Sequence, residues 1–173
     1  MTIVAPINSG HIKALGRVTA NFSMLEFHLN EFTSELISED IHLGRTILAE
    51  VRFLNLTCIL RSLYRYRVSN KVYVREFDNL IDEIQNMERE RNMVIHSVWY
   101  PNPSGEVTRF KKRSTKKGGL KFDVESWDIS KIDEVADQIK KLAVRIEQVR
   151  NAWIAFNTLQ KNFPPITNQY KPS

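Results

Sequence analysis

The stretch that decides the fold is Leu15–Leu36, "LGRVTANFSMLEFHLNEFTSEL". Its apolar residues Leu15, Val18, Phe22, Leu25, Leu29, Phe32 and Leu36 recur at steps of three and four. That is the period of one helical face turned towards a core, and no strand can present it. Asn8-Ser9-Gly10 supplies the start signal, so the spacing predicts a first helix running to about Ile37.

Three further helices follow by the same reasoning. The second is expected from about Gly44 to Arg67, after the polar connection "SEDIHLG", with Leu48, Leu56, Ile59, Leu60 and Leu63 as its apolar surface. Cys58, the single cysteine, lies in this run and reads as a small core residue. The third is expected from about Val72 to Val98, on Phe77, Leu80, Ile81, Ile84, Met87, Ile95 and Val98, until Pro101 and Pro103 stop it. The fourth begins near Ser130, its expected cap, and carries Ile132, Val135, Ile139, Leu142, Ile146, Val149, Trp153 and Phe156. Between the third and fourth, residues 106–112 and 119–125 alternate around a glycine-containing turn and read as a β-hairpin.

The expected fold is therefore all-α: a four-helix bundle with a β-hairpin inserted between the third and fourth long helices, in a single domain spanning residues 1–173. The chain is 42% apolar, enough for a core, with only six glycines and six prolines. A lone cysteine excludes an intrachain disulfide. The N-terminus lacks the pattern of a signal peptide, and no apolar run is long enough to span a bilayer. The expected location is the cytoplasm, with no membrane partner. A net charge of +5 favours an anionic partner, nucleic acid before a membrane surface.

Some charged residues fall where packing wants apolar ones. At 100° per residue, with Phe77 at the origin, Arg91 lies at about 320°, inside the apolar stripe of its helix. Asn92 and His96 lie beside that stripe. On the same construction Glu26 of the first helix and Arg52 of the second also point inward. Burying an unpaired guanidinium is costly, so Arg91 requires a counter-charge or a wet cavity. Two readings fit: a buried ion-pair network that fixes helix register, or a polar pocket between helices, where bundles build their sites.

The segment Arg91-Asn92-Met93-Val94-Ile95-His96 resembles the Arg-x4-His motif of HEPN domains, with a polar residue after the arginine and a break soon after the histidine. "NFSMLEFHL" at 21–29 looks like the early Phe-Ser-x-Leu-Glu helix of small bacterial HEPN-like proteins. The hairpin is an elaboration that the family pattern does not explain. The resemblance implies a helical bundle and a metal-independent endoribonuclease, toxin or defence related, acting at a cleft between two copies of the domain. It assigns His96 to proton transfer, Arg91 to holding the phosphate, and Asn92 to orienting the phosphate or the histidine. Glu26 and Arg52 would support them by the helical angles. No cofactor or metal is called for. The implied partners are RNA, a second copy of the chain, and an antitoxin or other protein. The alternative is a non-catalytic HEPN-like module that binds nucleic acid or a protein.

The strongest basic cluster is Arg109, Lys111, Lys112, Arg113, Lys116, Lys117 and Lys121, with no acidic residue between 107 and 122. Such a cluster suits a nucleic-acid backbone, although lysines at a hairpin tip also protect an edge strand. Trp99, Tyr100 and Trp127 flank it, as base-stacking groups or as packing beneath the hairpin. The four histidines show no metal-ligand spacing. No phosphate-binding glycine loop or Ser-His-Asp arrangement is present.

Overall fold

A computed structural model describes residues 7–102, 104–114 and 118–162, without the side chains of 113–114 and 160–162. Helix α1 (Ser9–Ile37) starts where Asn8 accepts the His11 backbone N–H at 3.0 Å. It is followed by α2 (Ile41–Leu48), α3 (Phe53–Arg67), α4 (Lys71–Ile95), strands β1 (Val98–Pro101), β2 (Val107–Ser114) and β3 (Leu120–Ser126), and α5 (Ile129–Asn162). The molecule is thus mostly helical with a small antiparallel sheet of order β1-β2-β3.

The expected second helix is two helices. Leu48 belongs to the packing face of α2, whereas Phe53, Leu56, Leu60 and Tyr64 form that of α3. In one continuous helix Leu48 and Phe53 would lie about 140° apart and could not share a core. The turn at 49–52 brings both faces inward. Two consequences correct the sequence reading. Arg52 becomes the exposed N-cap position of α3, with no side-chain cap bond, rather than an inward charge. Cys58 falls on the exposed side of α3 rather than in the core. The close seating of α2 on α1 also requires Gly44, because a Cβ there would stand 2.6 Å from the Ser34 carbonyl oxygen.

The third helix ends earlier than expected. Val98 leaves the helical stripe and opens β1, where it is exposed. The β-prone run Val98-Trp99-Tyr100 pairs with β2, Trp99 opposite Arg109, so the expected two strands are joined by a third. For α5 the cap is Asp128, two residues before Ser130, and it accepts the Lys131 backbone N–H at 2.9 Å.

The core is centred on α1, whose main helical neighbour is α5. Phe32 is fully buried against the stacked Tyr64–Phe77 pair, meeting both rings edge-on at about 6 Å between centroids. Phe22 lies 4.9 Å from Phe53. Ion pairs stitch the helices outside the core: Arg17 to Asp133 and Asp137, Arg145 to Glu83, and Arg65 to Asp78. No helix among the described residues is long and apolar enough to cross a membrane.

Candidate functional site at the end of helix α4

A helix end leaves carbonyls without intrahelical partners. At the end of α4 the sheet satisfies them. The Asn92 carbonyl accepts the His96 backbone N–H at 3.2 Å and Lys111 Nζ at 3.4 Å. The Met93 carbonyl accepts Ser97 Oγ at 2.5 Å, and the Val94 carbonyl accepts Trp99 Nε1 at 3.0 Å. Arg109 Nη1 in turn donates to Ser97 Oγ at 3.2 Å. The sheet therefore fixes the last turn of α4, where Arg91, Asn92 and His96 sit.

Arg91 is half-buried. Its Nη1 donates to Asn92 Oδ1 at 2.9 Å, and its guanidinium carbon lies 4.8 Å from the centre of the Phe22 ring. Its Nε is buried without a hydrogen-bond partner, and no carboxylate forms an ion pair with it among the described residues. Glu26 is half-buried nearby. Burial pushes its carboxyl above the usual range, the Arg91 charge pulls it back down, and Glu88 pushes it up again. Glu26 and Arg91 therefore sense one another without closing a salt bridge.

His96 caps α4 at φ −97° and ψ 17°, outside the regular helix, and its side chain is exposed. No hydrogen bond joins its ring to Arg91 or Asn92. The structure thus gathers Arg91, Asn92 and Glu26 beside Phe22, sets His96 in solvent at the same helix end, and leaves Arg52 out.

The basic cluster divides. Arg109, expected at a nucleic-acid surface, is only 3% exposed. It faces the helices, pairs with Glu125 at 3.1 Å and lies over Trp127 at 5.4 Å, so its charge is spent within the protein. The alternation of β2 sends it inward with Lys111, which is half-buried against Asn92. Lys112, on the opposite face, is exposed, as is Lys121. Lys116, Lys117 and the Arg113 side chain lie outside the described residues. Trp127 is buried and meets Trp99 edge-on at 6.1 Å, so both pack beneath the sheet.

A second polar region has no counterpart in the sequence reading. Glu31 is 7% exposed, yet carries a carboxylate. Arg45 grips it through Nε and Nη2 at 2.7 and 2.6 Å, and Arg150 bridges it at 3.9 Å while binding Glu35 through two nitrogens. The hydrogen bonds from Arg45 hold the Glu31 carboxyl below its usual range. These residues border an open groove of about 1890 Å³ that Tyr73, Trp153 and Phe156 also line. Neither Arg91, Asn92 nor His96 lines it. Glu31, Glu35, Arg45 and Arg150 are matched to one another, so size alone does not make it the reactive site. Arg150 is 115 residues from Glu35, which is why local spacing gave no sign of the network.

No three-residue metal-ligand cluster occurs among the described residues. No family model matches the chain, and neither a curated protein nor a solved structure matches it significantly.

Proposed function

We propose that this is a metal-independent endoribonuclease of HEPN type, a four-helix bundle with a β-hairpin elaboration between its third and fourth long helices. It would work in the cytoplasm as a homodimer, in a toxin or defence role held in check by an antitoxin or other protein. The observation that carries the reading is Arg91: a half-buried guanidinium with an unpartnered Nε and, among the described residues, no carboxylate clamped to it, five residues before an exposed histidine. A charge left this way favours an anionic ligand.

In the reaction the 2′-hydroxyl oxygen bonds phosphorus, the bond to the 5′ oxygen breaks, and the proton passes to the leaving oxygen. Histidine suits that transfer because its ordinary pKa lies near neutrality. Arg91 neutralises charge on the phosphate in the transition state. Asn92 holds Arg91, and a second copy could bring its own motif alongside. The products are a 2′,3′-cyclic phosphate and a 5′-hydroxyl.

The test is cleavage of RNA in excess chelator by wild type, Arg91→Ala and His96→Ala, with the cyclic phosphate identified in the products. Intact RNA, or equal cleavage by all three proteins, rules the reading out. The lack of a direct Arg91–His96 contact favours, as second reading, a silent module that binds nucleic acid or a protein partner without cutting.

A further inference from the structure

Among the described residues the outer face of the sheet is apolar and uncovered. Antiparallel register puts Val98, Phe110 and Val124 in one row, and Lys112 and Phe122 in the next. Strand alternation turns all five to the side opposite Arg109, Trp99 and the helices. Val98 is 62% exposed, Val124 55% and Phe122 54%. Phe110 and Phe122 stack with centroids 5.6 Å apart and planes 25° from parallel. A contiguous apolar face of this kind marks an interaction surface.

The charge around it selects the occupant. Lys112 stands exposed on this same face, directly across from Phe122. The chain carries a net charge of +5. Stacked aromatic rings beside an exposed lysine are the two parts of a single-strand nucleic-acid surface: the rings accept base faces and the cation meets the backbone. A second copy would bring like charges onto the same face.

We infer that this face, Phe110–Phe122 with Lys112, is a base-stacking platform for single-stranded RNA. It is joined to the end of α4 through β1. Val98 of this face begins β1 two residues after His96. The binding surface stands on the sheet's own geometry; only its service to cleavage rests on the proposed function.

The test is fluorescence anisotropy with a labelled single-stranded oligoribonucleotide, in the His96→Ala background so that RNA is not consumed, with a duplex of the same sequence as comparison. Phe122→Ala is expected to weaken single-strand binding roughly tenfold, and Phe122→Tyr to keep it within about twofold. Circular dichroism checks that each variant is folded. Single-strand affinity unchanged by Phe122→Ala, or duplex bound as tightly as single strand, overturns the platform. So does a Phe122→Ala variant that loses self-association but keeps its RNA affinity, which would make the face an interface between copies. Because binding is read without cleavage, an inactive wild type that still binds through Phe122 removes the proposed activity and leaves the platform standing.

Discussion

Arg150 and Arg91 are both partly buried arginines, and their surroundings differ in kind. Arg150 binds Glu35 through two nitrogens and approaches Glu31, which Arg45 also holds. Arg91 has an amide, an aromatic face, a carboxylate it senses but does not bind, and a buried Nε with nothing to donate to. Matched charges lower the energy of the folded state alone. An unmatched one keeps its capacity for a ligand, at a cost in stability that the fold must absorb. The comparison shows why burial of a charge does not identify a site: what counts is how far its bonds are already made.

The largest expected effect tests that contrast directly. Arg91→Ala and His96→Ala are expected to lower RNA cleavage by about 10²–10⁴-fold with little change in thermal midpoint. Arg150→Ala is expected to do the opposite, keeping cleavage and lowering the midpoint. The comparison breaks if Arg150→Ala abolishes cleavage in a folded protein.

Next in size is Glu31→Ala, which removes the carboxylate at the centre of the matched network. It is expected to cost about 1–3 kcal/mol of stability, read by urea unfolding. Its pH dependence follows from the lowered Glu31 carboxyl. The folded protein gives up this proton more readily than the unfolded chain does. Its stabilising contribution is therefore present above the ordinary glutamate value of 4.5 and is lost as pH falls through the lower folded value. The difference between wild type and Glu31→Gln should narrow on acidification, and a gap that widens contradicts the network.

The smallest effect has the opposite sign. The Glu26 carboxyl is raised, chiefly by burial, so the folded protein holds that proton more tightly than the unfolded chain. Stability is then lost as pH rises from 4.5 through the higher folded value. Glu26→Gln should raise the midpoint slightly at neutral pH, on the order of a degree, with the gain fading in acid. In Arg91→Ala the same substitution should help more, because the attraction that pulls Glu26 down is gone. A destabilising Glu26→Gln at neutral pH would mean that Glu26 is clamped to Arg91 as firmly as Glu35 is to Arg150.

Much of the helical framework was readable in the chain. Every apolar residue from Val18 to Leu36 assigned to the first stripe is buried, since a 3.6-residue period has one physical solution. The break between α2 and α3 was also in the sequence, in the phase difference between Leu48 and Phe53, though apolar content alone concealed it. The strand pattern placed β2 and β3 within a residue or two, but not β1, because three β-prone residues continuing a helical stripe fit either period. For the site, the angles brought Arg91 and Glu26 near each other and failed for Arg52, because they assumed a helix that the chain interrupts.

By itself the sequence determined the mostly helical class, the core face of the first helix and the motif at the end of α4, because these depend on residue spacing along one element. Only the tertiary structure decided which arginines are spent and which is left with bonds to make. Glu35 and Arg150 are 115 residues apart, and Arg109 is neutralised across a strand register. Electrostatic pairing acts over a few ångströms of space, and only the packed fold sets those distances.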